Sequence, residues 1–200
     1  MSRRILLLRF SAQPGDAVPA ALLAALGQAG FEDGDLAVHR SLDSAQCYGY
    51  VHPPPQRHSV GDDAWQRLRA ALAAAMPAAT VARLEALMEI DGAAAGALAT
   101  HHYVVETDVV AAADADLNAW YDQEHLPGLA GVPGTVRAAR YRNLDDGPRY
   151  HACYELASLA TFGSPAWLAV RASDWSSRVR PMFRNTRRIM FRSLSHLPPD

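Results

Sequence analysis

The side chains best suited to chemistry are concentrated in residues 120–127, WYDQEHLP. His125 is the leading candidate, because an imidazole titrates near neutral pH and can act as a general acid or base. Tyr121 precedes it by one helical turn, and Asp122 precedes it at the other helical spacing, from which it could orient the ring. Two interpretations stay open: His125 lines a pocket, or it caps the C-terminal end of its helix, where a cation is favoured.

A candidate catalytic set can be assembled around this histidine. His125 would be the general acid or base, and Tyr121 would donate a hydrogen bond. Arg140, on the strand that follows, could stabilise a carboxylate or an enolate with both branches of its guanidinium. A salt bridge from Arg140 to Asp122 or Glu124 is the alternative to that role.

Six further side chains could contact a substrate. Trp120 could instead pack in the core, because its spacing from Leu117 suits a buried stripe, and the acids of the motif could instead be solvated. Alternation along a strand places Tyr150 and Tyr154 on one face and His151 on the other, without indicating which face borders a site. The candidate substrate-binding residues are Trp120, Asp122, Glu124, Tyr150, His151 and Tyr154.

No cofactor or metal site is predicted. The pair His101–His102 does not favour a metal, since adjacent strand residues point in opposite directions. The chain has no phosphate-binding glycine loop, no Gly-x-Ser-x-Gly elbow and no HExxH motif, and nothing singles out a histidine as a haem ligand. The basic residues near the end of the chain are expected on a solvated face balanced by acids: Arg178, Arg180, Arg184, Arg187, Arg188 and Arg192.

Composition sets the broad class. Half of the 200 residues are hydrophobic, enough for a sizeable core, and the net charge of −2 gives no general attraction to nucleic acid or to anionic membranes. No apolar run is long enough for a transmembrane helix or an export signal, so the expected compartment is the cytoplasm. Cys47 and Cys153 lack metal-type spacing and are expected to be buried thiols.

Hydrophobic periodicity and turn residues predict the order strand, helix, strand, strand, helix, strand in each half of the chain. The WYDQEHLP helix is expected to end at Pro127, followed by a Gly/Pro-rich loop over residues 128–134. The featureless segment 91–100 is interpreted as the join between domains 1–95 and 101–195. The predicted fold class is α+β: two tandem ferredoxin-like (βαββαβ) units packing sheet-to-sheet into an intramolecular α/β barrel.

The second half resembles the dimeric α/β-barrel superfamily, and within it the EthD-like and related bacterial proteins. The resemblance is carried by WYDQEHLP, by VPG at 132–134, by ARY at 139–141, by YHACYEL at 150–156 and by Trp175. It implies that the chain is a tandem fusion of two barrel halves. The superfamily includes cofactor-free monooxygenases, muconolactone-isomerase-like enzymes, polyketide cyclases, decarboxylases and haem-handling enzymes, so the resemblance leaves the reaction open.

Two functions are therefore weighed. The first is a cofactor-independent isomerase, cyclase, decarboxylase or monooxygenase acting on a small hydrophobic or aromatic molecule. The second is a non-catalytic module for ligand binding or assembly. A homodimer is possible, and neither nucleic acid nor a membrane is an expected partner. A cleft of a few hundred Å³ lined by His125, Tyr121 and Arg140 would favour the enzyme.

Overall fold

The computed structural model of the chain describes residues 2–12, 18–54 and 56–194. It divides into two compact units, Met1–Ala86 with Arg192–Asp200 and Leu87–Phe191. Each unit has its own hydrophobic core, in which one face of the strands packs against helices. The domain boundary at residues 95–101 stays a prediction of the sequence.

The first unit contains β1 (Arg4–Ser11), α1 (Ala20–Ala29), β2 (Leu36–Ser41), β3 (Gln46–Val51), α2 (Asp62–Ala75) and the start of β4 (Thr80–Asp91). β1 pairs antiparallel with both β3 and β4, and β3 pairs with β2. α1 ends where Gly30 takes a left-handed conformation with φ of +87°, which a residue without Cβ adopts at little cost.

The second unit begins in the last residues of β4 and continues with β5 (His101–Val109) and α3 (Asp114–Trp120). A π-helical turn (Tyr121–His125) joins α3 to α4 (Leu126–Ala130). Then come β6 (Thr135–Asn143), β7 (Tyr150–Leu156), α5 (Pro165–Arg171), α6 (Asp174–Val179) and β8 (Phe183–Ser193). β7 pairs antiparallel with β5 on one side and with β6 on the other.

Alternation along β7 decides a question that the sequence left open. Tyr150 and Tyr154 pack in the core of the second unit with the helices, whereas His151 projects from the opposite face and meets Glu106 of β5. The two cysteines are buried and free of a disulfide, which confirms their prediction as buried thiols.

The predicted fold class is wrong. The strands form one closed antiparallel barrel in the order β1-β3-β2-β8-β5-β7-β6-β4, rather than two tandem ferredoxin-like units packed sheet to sheet into an α/β barrel. Each of two facing sheets would keep edges with unpaired N–H and C=O groups, whereas a closed barrel has none. Periodicity in the sequence identifies strands and their buried faces, but it does not determine which edges pair.

Candidate functional site

The WYDQEHLP segment lies in a helix that does not end at Pro127. α3 passes through the π-helical turn into α4, so the predicted helix end is wrong and His125 is not a C-terminal cap. The Leu126 N–H donates to the carbonyl of Tyr121, five residues earlier. Proline has no N–H to donate at position 127, and the wider turn allows the helix to continue around it.

The π turn brings three aromatic rings together. The rings of Trp120 and His125 stack with centroids 4.0 Å apart and an interplanar angle of 20°. Tyr121 meets the His125 ring edge-on at 5.3 Å. In a regular α-helix, residues five apart point about 140° away from one another. The stack therefore depends on the wider turn, a feature that is frequent at functional sites.

These rings border a cavity of about 30 Å³ in the second unit. Its hydrophobic and aromatic lining consists of Tyr103, Val105, Trp120, Tyr121, Leu129, Tyr154, Trp167 and Phe183. Its remaining lining residues, all able to carry positive charge, are His125, Arg171, Arg180 and Arg188. This volume holds one or two water molecules and is well below the range of a few hundred Å³ that is typical of substrate pockets.

His125 is a neutral imidazole at physiological pH. Its side chain is only 7% exposed, and its Nδ1 has no hydrogen-bond partner among the described residues. Burial, with a smaller contribution from the charges of Arg171 and Arg180, lowers its pKa to about 3. Burial also raises the pKa of the neighbouring Tyr121 to about 12, so that phenol keeps its proton.

Arg140 does not line the cavity. Its guanidinium lies between the rings of Tyr121 and Tyr150, at 4.4 and 4.6 Å from their centroids. It donates to Asn118 Oδ1 at 2.8 Å, and it lies 3.5 Å from a carboxylate oxygen of Asp122. Because this cation is 1% exposed and already has these contacts, its role is to support the ring of Tyr121.

Some of the other predicted site residues line the cavity, and the rest do not. Trp120 and Tyr154 line the cavity with His125 and Tyr121. Glu124 accepts hydrogen bonds from Trp120 Nε1 at 3.1 Å and from the Ser173 hydroxyl, so it orients Trp120. Tyr150 donates to Asp114, and His151 lies on the opposite face of the strand; neither reaches the cavity.

Sequence reasoning missed several cavity residues, namely Tyr103, Trp167, Arg171, Arg180 and Arg188. Arg180 and Arg188 belong to the basic set expected on a solvated face, and of that set Arg178 does pair with an acid, Asp116. One available signal was alternation along β8, which gives Arg188 the same face as Met190, a core-packed residue.

The surroundings of His125 do not fit a haem. Its unpaired nitrogen could serve as an axial ligand, but a cavity of about 30 Å³ has no room for a macrocycle beside it.

Within residues 2–12, 18–54 and 56–194, no three His, Cys, Asp or Glu side chains lie close enough together to hold a metal ion. The described helices include none that is both long and apolar enough to cross a bilayer.

Three solved structures are similar to nearly the whole chain. A proposed monooxygenase from Fusobacterium nucleatum has a TM-score of 0.61 and 12% identity, over 96% of this chain and 93% of that chain. An anthrone oxidase-like protein has a TM-score of 0.58 and 15% identity, over 97% and 92%. A mutant chlorite dismutase from Candidatus Nitrospira defluvii has a TM-score of 0.58 and 11% identity, over 95% and 91%.

The chain therefore shares the fold of these three structures. At these identities the likeness establishes the fold alone, and membership of the dimeric α/β-barrel superfamily stays a prediction. EthD-like membership, the tandem fusion, the cytoplasmic location and the homodimer stay predictions. No family model matches the chain, and no curated protein matches it.

Proposed function

We propose that the chain is a cofactor-independent enzyme that acts on a small, partly aromatic organic molecule at this cavity. The observation that carries the proposal is that His125, whose Nδ1 has no hydrogen-bond partner among the described residues, lines a cavity together with aromatic side chains. The unpaired nitrogen can take a proton from a substrate once a bound anionic group offsets the charges of Arg171 and Arg180, which together with burial lower the pKa of His125 to about 3. Tyr121, which stays protonated, would donate a hydrogen bond to the oxygen on which negative charge develops.

Proton transfer of this kind serves all of the reactions that the sequence left open. Removal of a proton next to a carbonyl gives an enolate, which can isomerise, cyclise or react with dioxygen, and decarboxylation produces an enolate that takes up a proton. Two of the similar structures carry names that refer to oxygen chemistry, which supports oxygenation as one of these possibilities. Arg140 is assigned a positioning role through its contact with Tyr121.

Substrate entry requires the cavity to widen, because a substrate pocket usually measures a few hundred Å³. Arg188 is exposed and Arg171 is partly exposed, so these side chains can move without disturbing the core. Closure over a bound molecule would exclude water from the proton transfer.

Turnover by the chelator-treated protein tests the proposal. A panel of phenols, aromatic ketones and aromatic keto acids is incubated in air without added cofactor, and products are detected by mass spectrometry. Where turnover is found, His125→Asn should lower kcat by about 100-fold or more, the usual contribution of general acid–base catalysis. His58→Asn, at an exposed histidine of the first unit, should leave the rate unchanged. Turnover that needs an added cofactor, or that survives His125→Asn, contradicts the proposal.

The small size of the cavity favours a second candidate function, a non-catalytic ligand-binding module. In that case aromatic molecules would protect the protein against thermal unfolding, as any ligand specific to the folded state does. No member of the panel would be converted, and His125→Asn would change binding alone. This result would support the second candidate over the enzyme.

A further inference from the structure

We propose that Arg171, Arg180 and Arg188 form a binding site for the carboxylate of an aromatic acid. The inference rests on the proposed function, because it names the substrate class of the same cavity. The three arginines come from α5, from the turn after α6 and from β8, and they line one cavity. Arginine is the residue best suited to holding a carboxylate, since its planar guanidinium matches the two oxygens.

The first supporting observation is that these cations have no counter-ion in the part of the chain that the structure describes. Among the described residues, no carboxylate lies within ion-pair distance of Arg171, Arg180 or Arg188. Elsewhere in the same unit, arginines do meet acids: Arg149 lies 3.1 Å from Asp114. The cavity therefore concentrates positive charge that the described residues do not neutralise.

The second observation is that this charge is unfavourable in the absence of a ligand. Burial lowers the pKa of Arg180, and the charges of Arg171 and Arg188 lower it further. Arg180 is partly buried, and like charges close to a partly buried cation raise the free energy of the folded protein. A bound anion would remove that repulsion, so the arrangement favours an anionic ligand.

The third observation concerns hydrogen-bond donors that have no acceptor. Trp167 and Tyr154 line the same cavity at 0% and 1% exposure, and neither Trp167 Nε1 nor the Tyr154 hydroxyl has a partner among the described residues. A buried donor left unpaired costs about 1–3 kcal/mol. Carboxylate oxygens would accept from these donors, and a carboxylate is comparable in size with the roughly two waters that the cavity holds.

The aromatic lining indicates what the carboxylate is attached to. Trp120, Tyr103 and Tyr154 offer ring faces or edges at the cavity, and aromatic groups prefer such neighbours to aliphatic ones. The exposed position of Arg188 places the open side of the cavity next to that residue. The head group would therefore lie among the arginines, with the ring between the aromatic side chains.

Benzoate and its neutral isostere benzamide test this site, with binding measured on the full chain by calorimetry. Benzoate should bind at least about tenfold more tightly, because charge-assisted hydrogen bonds are roughly twice as strong as neutral ones. Arg188→Gln and Arg180→Gln should each weaken benzoate binding by about tenfold, with little effect on benzamide. Arg192→Gln, at an exposed arginine of the same strand outside the cavity, should change benzoate binding less than about twofold.

A stability measurement separates a ligand site from a structural one. Without ligand, Arg180→Met should raise the midpoint of thermal unfolding, because it removes an uncompensated cation. A structural arginine would give a lower midpoint. The proposal is overturned by equal affinity for benzoate and benzamide, or by unchanged benzoate binding in the Arg188→Gln variant, whose exposed side chain leaves folding intact.

Failure of this inference can be told apart from failure of the proposed function. If benzoate binds through the arginines but no substrate is converted, the anion site stands and the enzyme proposal fails. If His125-dependent turnover is found only with neutral aromatic substrates, the enzyme proposal stands and the anion site is wrong.

Discussion

At the scale of single residues, the most informative side chain is that of His125, whose surroundings disfavour its protonated form. His125 is surrounded by aromatic rings and lies near Arg171 and Arg180, so protonating it would place a further cation in a buried positive region. The sequence identified this residue because an imidazole can act as a general acid or base and because aromatic and acidic side chains surround it in the motif. It did not identify the arginines, because residues 171, 180 and 188 approach one another only through tertiary structure.

The suppressed charge of His125 predicts how stability depends on pH. The unfolded histidine takes up a proton near its ordinary pKa of 6.5, whereas the folded one does so only near 3. Acid therefore favours the unfolded state between these values, and the stabilisation present above pH 6.5 is lost as the pH falls toward 3. Between pH 7.5 and pH 5 this residue should cost the folded state about 2 kcal/mol, at 1.36 kcal/mol per unit.

Urea denaturation at the two pH values measures the effect. His125→Phe keeps an aromatic ring against Trp120, but the new side chain cannot titrate. Between pH 7.5 and pH 5, the free energy of unfolding should therefore fall by about 2 kcal/mol less in the variant than in the natural protein. Identical pH dependence in His125→Phe and the natural protein would show that His125 titrates normally in the fold.

Arg140 provides a second prediction at this scale, on stability. Arg140→Ala leaves a void between the rings of Tyr121 and Tyr150 and removes the donor to Asn118. We expect a loss of about 3 kcal/mol in the free energy of unfolding, as for other buried, multiply bonded charges. Arg149→Ala, which breaks a half-exposed pair with Asp114, should cost less than about 1 kcal/mol. Similar losses in both variants would contradict the supporting role of Arg140.

At the scale of elements, the π-helical turn is the feature that sequence patterns could not predict. Hydrophobic spacing in α3 and α4 is compatible with one helix, and Pro127 is an ordinary signal for its end. The wider turn depends on packing, because only the completed core holds Trp120 and His125 in a stack. Tyr121 and His125 were correctly placed within reach of each other, since their spacing brings side chains together in either type of turn.

Glu124 connects this turn to the start of α6, and its removal gives an element-scale prediction. Glu124→Ala leaves the buried Trp120 Nε1 without an acceptor and frees the hydroxyl of Ser173, which caps α6. The free energy of unfolding should fall by about 1–3 kcal/mol. Glu124→Gln keeps an acceptor oxygen and should lose less than half as much. Near-ultraviolet circular dichroism should show a changed tryptophan signal in the alanine variant only.

At the scale of the whole molecule, the sequence located strands and helices better than it located their partners. Alternation identified the two faces of β7 correctly. The order of the strands depends instead on which backbone edges hydrogen-bond to each other, and side-chain periodicity carries no information about that pairing. The pairing of the strands becomes visible only in the structure, which shares its fold with solved structures that are 12% and 15% identical to this chain.

Strand position predicts a hierarchy of amide exchange. β1 lies between β3 and β4, and β7 lies between β5 and β6, so both sides of each of these strands are hydrogen-bonded. Their central amides should exchange with deuterium only through the largest opening motions. Amides near Val136, where the register of β6 shifts, and those in the short helices α5 and α6 should exchange much faster. Equal rates across β1, β7 and α6 would contradict this order.

The two buried thiols can report local opening of the structure. Cys47 belongs to the first compact unit and Cys153 to the second, at 1% and 7% exposure, and burial raises the pKa of Cys153. A maleimide can alkylate either sulfur only after the surrounding structure has opened. Peptide mapping at successive labelling times would therefore measure the rate at which each unit opens. The two rates would be obtained separately and without substitution.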